Sequence, residues 1–172
     1  MEFNKPVSNP MLVGAIEVMK ADPSPDHKNL FINEMMKAKF LAPAIIDPKP
    51  ETGTDGQPKL TPGSKIQFPM LTAPDGKNYF MAFTDKMELK LWKDEEGVPT
   101  FALAVDDYAG MTLRQGSQAA GFVINPYGGN IVIAKEMLGA LMAAKLNAQK
   151  PGQNPGQGQA RTAPQNTPPA GR

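Results

Sequence analysis

His27 is the only histidine in the chain and there is no cysteine, so nucleophilic and metal chemistry would have to be built around a single imidazole. A zinc centre would need His27 with carboxylates alone. A Ser-His-Asp arrangement would also have to use His27, and neither Ser24 nor Ser64 sits in a G-x-S-x-G elbow. A solvated first-turn position at the start of a helix is the simpler reading of His27. Asp106-Asp107 is the best candidate for carboxylate chemistry, because the pair follows a strand and strand C-termini in α/β folds are where ligands bind. Acid-base work by such a pair would need one raised pKa. The simpler reading, a helix cap followed by an acid favoured by the helix dipole, is preferred. Gly128-Gly129 fits neither G-x-G-x-x-G nor G-x-x-x-x-G-K-[ST] and precedes a strand, which makes it a turn and not a phosphate loop. No catalytic residue, metal site or cofactor is expected.

Recognition chemistry has more to work with. A short helix carrying Leu89, Leu91 and Trp92 on more than one face cannot easily bury all three, although core packing is the simpler account. The eleven methionines fall mostly at core-facing spacings, including Met35, Met70, Met81 and Met137, and read as gap-fillers.

These residues need elements to hold them. Asn9-Pro10 and Ser24-Pro25 are helix starts, with Leu12, Ile16 and Met19, then Phe31 and Met35, marking the buried faces of helices ending near Ala21 and Lys39. Phe40 to Ile46 reads as a strand that Pro43 confines to an edge or bulge. Asp47 to Ser64 has almost no apolar content and no aromatic anchor, and reads as a long disordered loop.

Ile66, Phe68 and Met70 alternate as one strand, and Pro74-Asp75-Gly76-Lys77 turns it back into Tyr79 to Phe83. Asp85 with Glu88 resembles a capping box for the Trp92 helix. Phe101, Leu103 and Val105 alternate as a strand, Asp106 caps a helix carrying Tyr108 and Met111, and Gly116 stops it. Gly121–Ile124 and Asn130–Ile133 are short strands around Asn-Pro-Tyr-Gly-Gly, followed by a helix from Ala134 to about Asn147. Strands alternating with helices imply a layered α/β domain, with a mixed or antiparallel sheet, hairpins and helices packed on it.

Residues 1–147 thus form one domain, and 148–172 a disordered Pro/Gly/Gln-rich tail with no Val, Ile, Leu, Met or aromatic residue to offset its ordering entropy. The chain has 18 basic and 17 acidic residues, and Lys150, Arg161 and Arg172 leave residues 1–149 at net −2. That balance argues against nucleic acid, whose binders carry a basic patch. Met11–Ile16 is too short for a signal or membrane segment, which makes the cytoplasm the expected compartment and a membrane partner unexpected.

The run Ile66-Gln67-Phe68-Pro69 through Asp75-Gly76-Lys77, then Tyr79–Thr84, Glu88-Leu89, Trp92 and Gly121-Phe122-Val123-Ile124-Asn125-Pro126, resembles the N-terminal domain of the SseB (enhanced serine sensitivity) family of bacterial cytoplasmic proteins. The resemblance spans roughly Leu30 to Met142. It implies no established reaction, cofactor or catalytic residue. Some members carry a second C-terminal domain, whose place is taken here by the low-complexity tail.

The expected function is a non-catalytic protein-interaction module, with Trp92 and the Asn125–Asn130 turn, including Tyr127, contacting an unknown protein partner. The rival is a small-molecule or enzymatic pocket at strand ends near Asp85, Asp106, Asp107 and Asn125, where a perturbed carboxylate is expected.

Overall fold

The computed structural model describes residues 2–149 apart from Asp55, Gln57 and Glu96. Residues 150–172, nearly all of the expected disordered tail, lie outside the described residues. In chain order the elements are β1 (Glu2–Phe3), α1 (Pro10–Ala21), α2 (Pro25–Lys37), β2 (Lys39–Pro43), β3 (Ile45–Asp47), β4 (Glu51–Thr52), β5 (Pro58–Lys59) and β6 (Lys65–Gln67). They continue with β7 (Met70–Thr72), β8 (Asn78–Ala82), α3 (Lys86–Trp92), β9 (Thr100–Ala104), α4 (Val105–Leu113), β10 (Ala119–Ile124), β11 (Ile131–Ala134) and α5 (Lys135–Ala148).

Two sheets carry the core. One runs β1-β9-β2 and is antiparallel, and the other runs β11-β10-β8-β7 with β8 and β10 parallel. They are joined where Leu41 and Phe83 exchange backbone hydrogen bonds of 2.8 and 3.0 Å. The result is the mixed α/β architecture that the alternation of helices and strands implies.

Period-2 alternation along the strands divides the apolar residues between two faces. Phe40, Ala42, Leu103, Phe122, Ile124 and Ile133 pack with Leu12, Phe31, Met35, Tyr108 and Leu138 from α1, α2, α4 and α5. Leu41, Met81 and Phe83 face the other way, onto Leu89 of α3. On the four-helix side Tyr108 stacks on Phe122 at 4.5 Å and its buried hydroxyl donates to the Met81 carbonyl at 2.9 Å. Burial, and then the nearby Asp107, push the Tyr108 phenol well above its usual value, so the group stays a neutral donor.

Several boundaries differ from the sequence reading. The strand expected over 40–46 is two strands in different sheets, because the chain turns at Pro43-Ala44. Ile66, Phe68 and Met70 are likewise split, by Phe68-Pro69, into β6 and β7, and Met70 is 40 % exposed rather than in the core. Alternation alone cannot reveal that a proline hands a strand from one sheet to another. The 47–64 segment, expected to lack structure, carries the two-residue strands β4 and β5, paired Glu51 to Lys59 and Thr52 to Pro58. Strand β9 ends at Ala104 and Val105 already belongs to α4, so Asp106 lies in the first turn and does not cap it.

Gly121 explains how β10 accepts its partner. Its φ is +147°, and a Cβ there would lie 2.0 Å from the Ile133 carbonyl oxygen of β11. The register between β10 and β8 also shifts between Ala119 and Phe122, a bulge placed where glycine permits it.

Candidate functional site at the strand ends

Strands β8 and β10 run parallel and end side by side, the place where α/β sheets hold ligands. Asn125 follows β10 with φ +49°, a left-handed conformation that asparagine tolerates better than most residues. Its amide carbonyl accepts from the Thr84 N–H, and its NH2 donates to the Thr84 hydroxyl, each at 2.9 Å. That hydroxyl in turn donates to Asp85 Oδ2 at 2.9 Å, while Asp85 Oδ1 accepts from the N–H groups of Met87 and Glu88 and so caps α3. The Asn125 backbone carbonyl accepts from Gly128 and Asn130, which closes the 125–130 turn. Asn9, expected to cap α1, instead donates its side-chain amide to the Lys39 and Thr84 carbonyls, stitching α1 onto the same strand ends.

Only half of the expected capping box forms. Glu88 does not reach back to Asp85; its carboxylate lies against Gly128, where an added Cβ would meet Oε2 at 2.3 Å. Glu88 Oε2 is buried with no hydrogen-bond partner. Desolvation, followed by repulsion from Asp85, raises the Glu88 pKa, and the positive charge of Lys20 opposes the rise. The Lys20 ammonium donates to the Gly129 carbonyl at 2.6 Å, so this turn rests on α1 as well as on α3.

The sequence candidates are distributed unevenly around this web. Asn125 and Asp85 meet through Thr84. Asp106 instead pairs with Lys145 of α5, and Asp107 accepts from the Ala104 N–H at 2.9 Å as an N-terminal support for α4. Trp92 is half-buried and stacked on Phe83 at 6.2 Å, while Tyr127 stands out from the turn. His27 Nδ1 lies 2.7 Å from the Asp22 carbonyl oxygen, and the Ser64 hydroxyl donates to the Thr61 carbonyl at 2.7 Å.

Sequence reasoning missed the role of Glu88 beyond capping, and missed Lys20 and Thr84. The one signal for Glu88 was Gly128, whose lack of a side chain admits the carboxylate. Among the described residues no group of three or more His, Cys, Asp and Glu side chains could hold a metal ion, and no helix is long and apolar enough to cross a membrane.

The chain is thus a mixed α/β domain whose strand ends carry a hydrogen-bonded turn and one perturbed carboxylate. The family model described as SseB protein N-terminal domain matches residues 12–146, and the chain belongs to that family. The match begins at Leu12, ahead of Leu30, and so takes in most of α1 and all of α2. Neither the curated proteins nor the solved structures contain a match to the chain.

Proposed function

We propose that this SseB-type domain is a non-catalytic protein-interaction module of the bacterial cytoplasm, docking a partner on the outer side of α3 and the 125–130 turn. The observation that carries it is the exposure of Met87, Leu91 and Tyr127, at 75 %, 59 % and 53 %. Met87 and Leu91 are four residues apart on α3 and therefore share one helix face. The Glu88 carboxylate lies against Gly128, the residue after Tyr127, so the two exposed segments are neighbours. The turn is held from three sides, so Tyr127 is presented at low entropic cost on binding. Lys86 and Lys90 on the same helix suit a partner with an apolar centre and an acidic rim.

The test is capture from the host's own lysate by the full chain, by Leu91→Asp and by Tyr127→Ala. A protein retained at fixed stoichiometry by the wild type, and lost from both variants at unchanged melting temperature, supports the reading. Equal retention by all three chains overturns it.

The rival reading, a small-molecule or enzymatic site at the strand ends, has the raised Glu88 pKa in its favour. It predicts a small added mass on the native protein that disappears in Glu88→Gln. The clefts lined by Lys5 and Lys90, by Pro43 and Trp92, by Phe68 and Arg114, and by Phe3 and Lys49 do not include Glu88 or Asn125.

A further inference from the structure

The opposite end of the β8–β10 pair carries a different kind of surface. There the chain passes from β6 to β7 through Phe68-Pro69, leaving one sheet and entering another. The corner opens a cleft of about 600 Å³ against the loop between α4 and β10. Its apolar lining comes from Ile66, Phe68, Met70, Phe80 and Met111. Phe68 is fixed edge-on against Phe101 at 5.8 Å, and Phe68, Phe80 and Met111 pack on the core, so the floor is anchored. Ile66 and Met70, at 38 % and 40 % exposed, form walls that water wets.

One full charge stands on this cleft, whose other polar side chains, Gln67, Ser117 and Gln118, are neutral. Arg114, the residue that ends α4, lines it, and the guanidinium has no carboxylate or other side-chain partner among the described residues. No Asp or Glu lines the cleft. The Ser117 hydroxyl beside it accepts from the Ala119 N–H at 3.3 Å and keeps its own proton free to donate. An unpaired guanidinium presents a planar fork that matches a carboxylate in two hydrogen bonds. A cleft of this volume falls within the range that holds small ligands, and two thioether side chains allow its walls to adapt. A single positive group beside an apolar floor suits one negative charge on an apolar body; a phosphate would bring more charge and fewer apolar contacts.

We propose that this cleft binds a small amphipathic carboxylic acid, its carboxylate on Arg114 and its apolar body across Phe68, Phe80 and Met111. The site goes beyond the interaction surface at the other end of the strands and does not depend on it.

The experiment titrates the full chain with decanoate, kept below its aggregation concentration, and follows the methyl resonances of carbon-13-labelled methionine. Saturable shifts confined to Met70 and Met111 are expected. Arg114→Gln should weaken binding about 10-fold or more, the scale of one lost charge-assisted hydrogen bond. Decanol, which lacks the charge, should bind the wild type with similarly reduced affinity. Because Arg114 is exposed and its guanidinium makes no side-chain hydrogen bond or ion pair among the described residues, the variant should melt with the wild type. No shift at Met70 and Met111, or equal decanoate affinity in Arg114→Gln, overturns the proposal. So does a cleft that ignores decanoate while binding a peptide with an apolar C-terminal residue, which would make the occupant a protein terminus.

Discussion

At their C-terminal ends β8 and β10 close into a web in which Asn125, Thr84, Asp85 and Asn9 answer one another's hydrogen-bonding groups, while at their N-terminal ends an unpaired Arg114 stands over exposed Ile66 and Met70. The first region spends its polar groups on itself and offers a rigid turn with Tyr127 outward. The second leaves its charge and apolar surface uncommitted. Internal satisfaction of polar groups marks a platform, and an unanswered charge over apolar surface marks a place for a ligand. Glu88 is the exception in the first region, because its buried Oε2 has no partner.

The largest effect expected is from Gly121→Ala, which drives a Cβ into the Ile133 carbonyl and would strain the β10–β11 pair that both ends share. A loss of about 4 kcal/mol or outright failure to fold is expected from such a backbone clash, read by denaturant unfolding. Normal folding would show that the hairpin can shift and that neither end is rigidly placed.

Asn125→Ala comes next. It strips the partner from the buried Thr84 N–H and puts alanine at a positive φ, with an expected cost of about 3 kcal/mol. Arg114→Gln at the other end should change stability by less than about 0.5 kcal/mol, as exposed substitutions usually do. Comparable losses in the two variants would erase the distinction between platform and cleft.

Glu88 sharpens the comparison through pH. Its folded-state pKa lies above the ordinary 4.5, so the folded protein holds this proton more tightly than the unfolded chain does. That stabilisation is fully present below the ordinary value and is lost as pH rises through the folded pKa. Glu88→Gln removes the dependence, and it should be the more stable protein at pH 7 while the two converge in acid. A wild type that gains stability relative to the variant as pH rises from 4 to 7 would contradict a half-buried carboxylate whose Oε2 has no partner.

Gly128→Ala should also have little effect on stability. The group in the way is the far end of a flexible Glu88 side chain, which can swing into solvent. The expected signature is a return of the Glu88 titration, followed by carbon-13 NMR, toward its ordinary value with the melting temperature nearly unchanged.

Much of the fold was legible in residue types and spacing. The Ser24 cap, the Pro74–Lys77 turn and the apolar stripe of α5 each follow from local chemistry, and each stands close to where it was expected. Local chemistry failed where an alternative partner was better placed. Asn9 left its capping role for carbonyls of Lys39 and Thr84, and Glu88 left the capping box for Gly128. Both competing partners are far along the chain, so no window of neighbouring residues contains them.

By itself the sequence determined the alternation of helices and strands and the absence of thiol chemistry, because composition and short-range periodicity carry those properties, and its motifs carried the resemblance to the SseB family that the family model bears out. Only the tertiary structure decided that β8 and β10 lie parallel, that Asn125 meets Thr84, that Asp106 is taken by Lys145, and that Arg114 is left unpaired beside Phe68, Phe80 and Met111. Hydrogen bonds and charge pairs act over a few ångströms in space, and which residues come within that reach is set by packing and not by order along the chain.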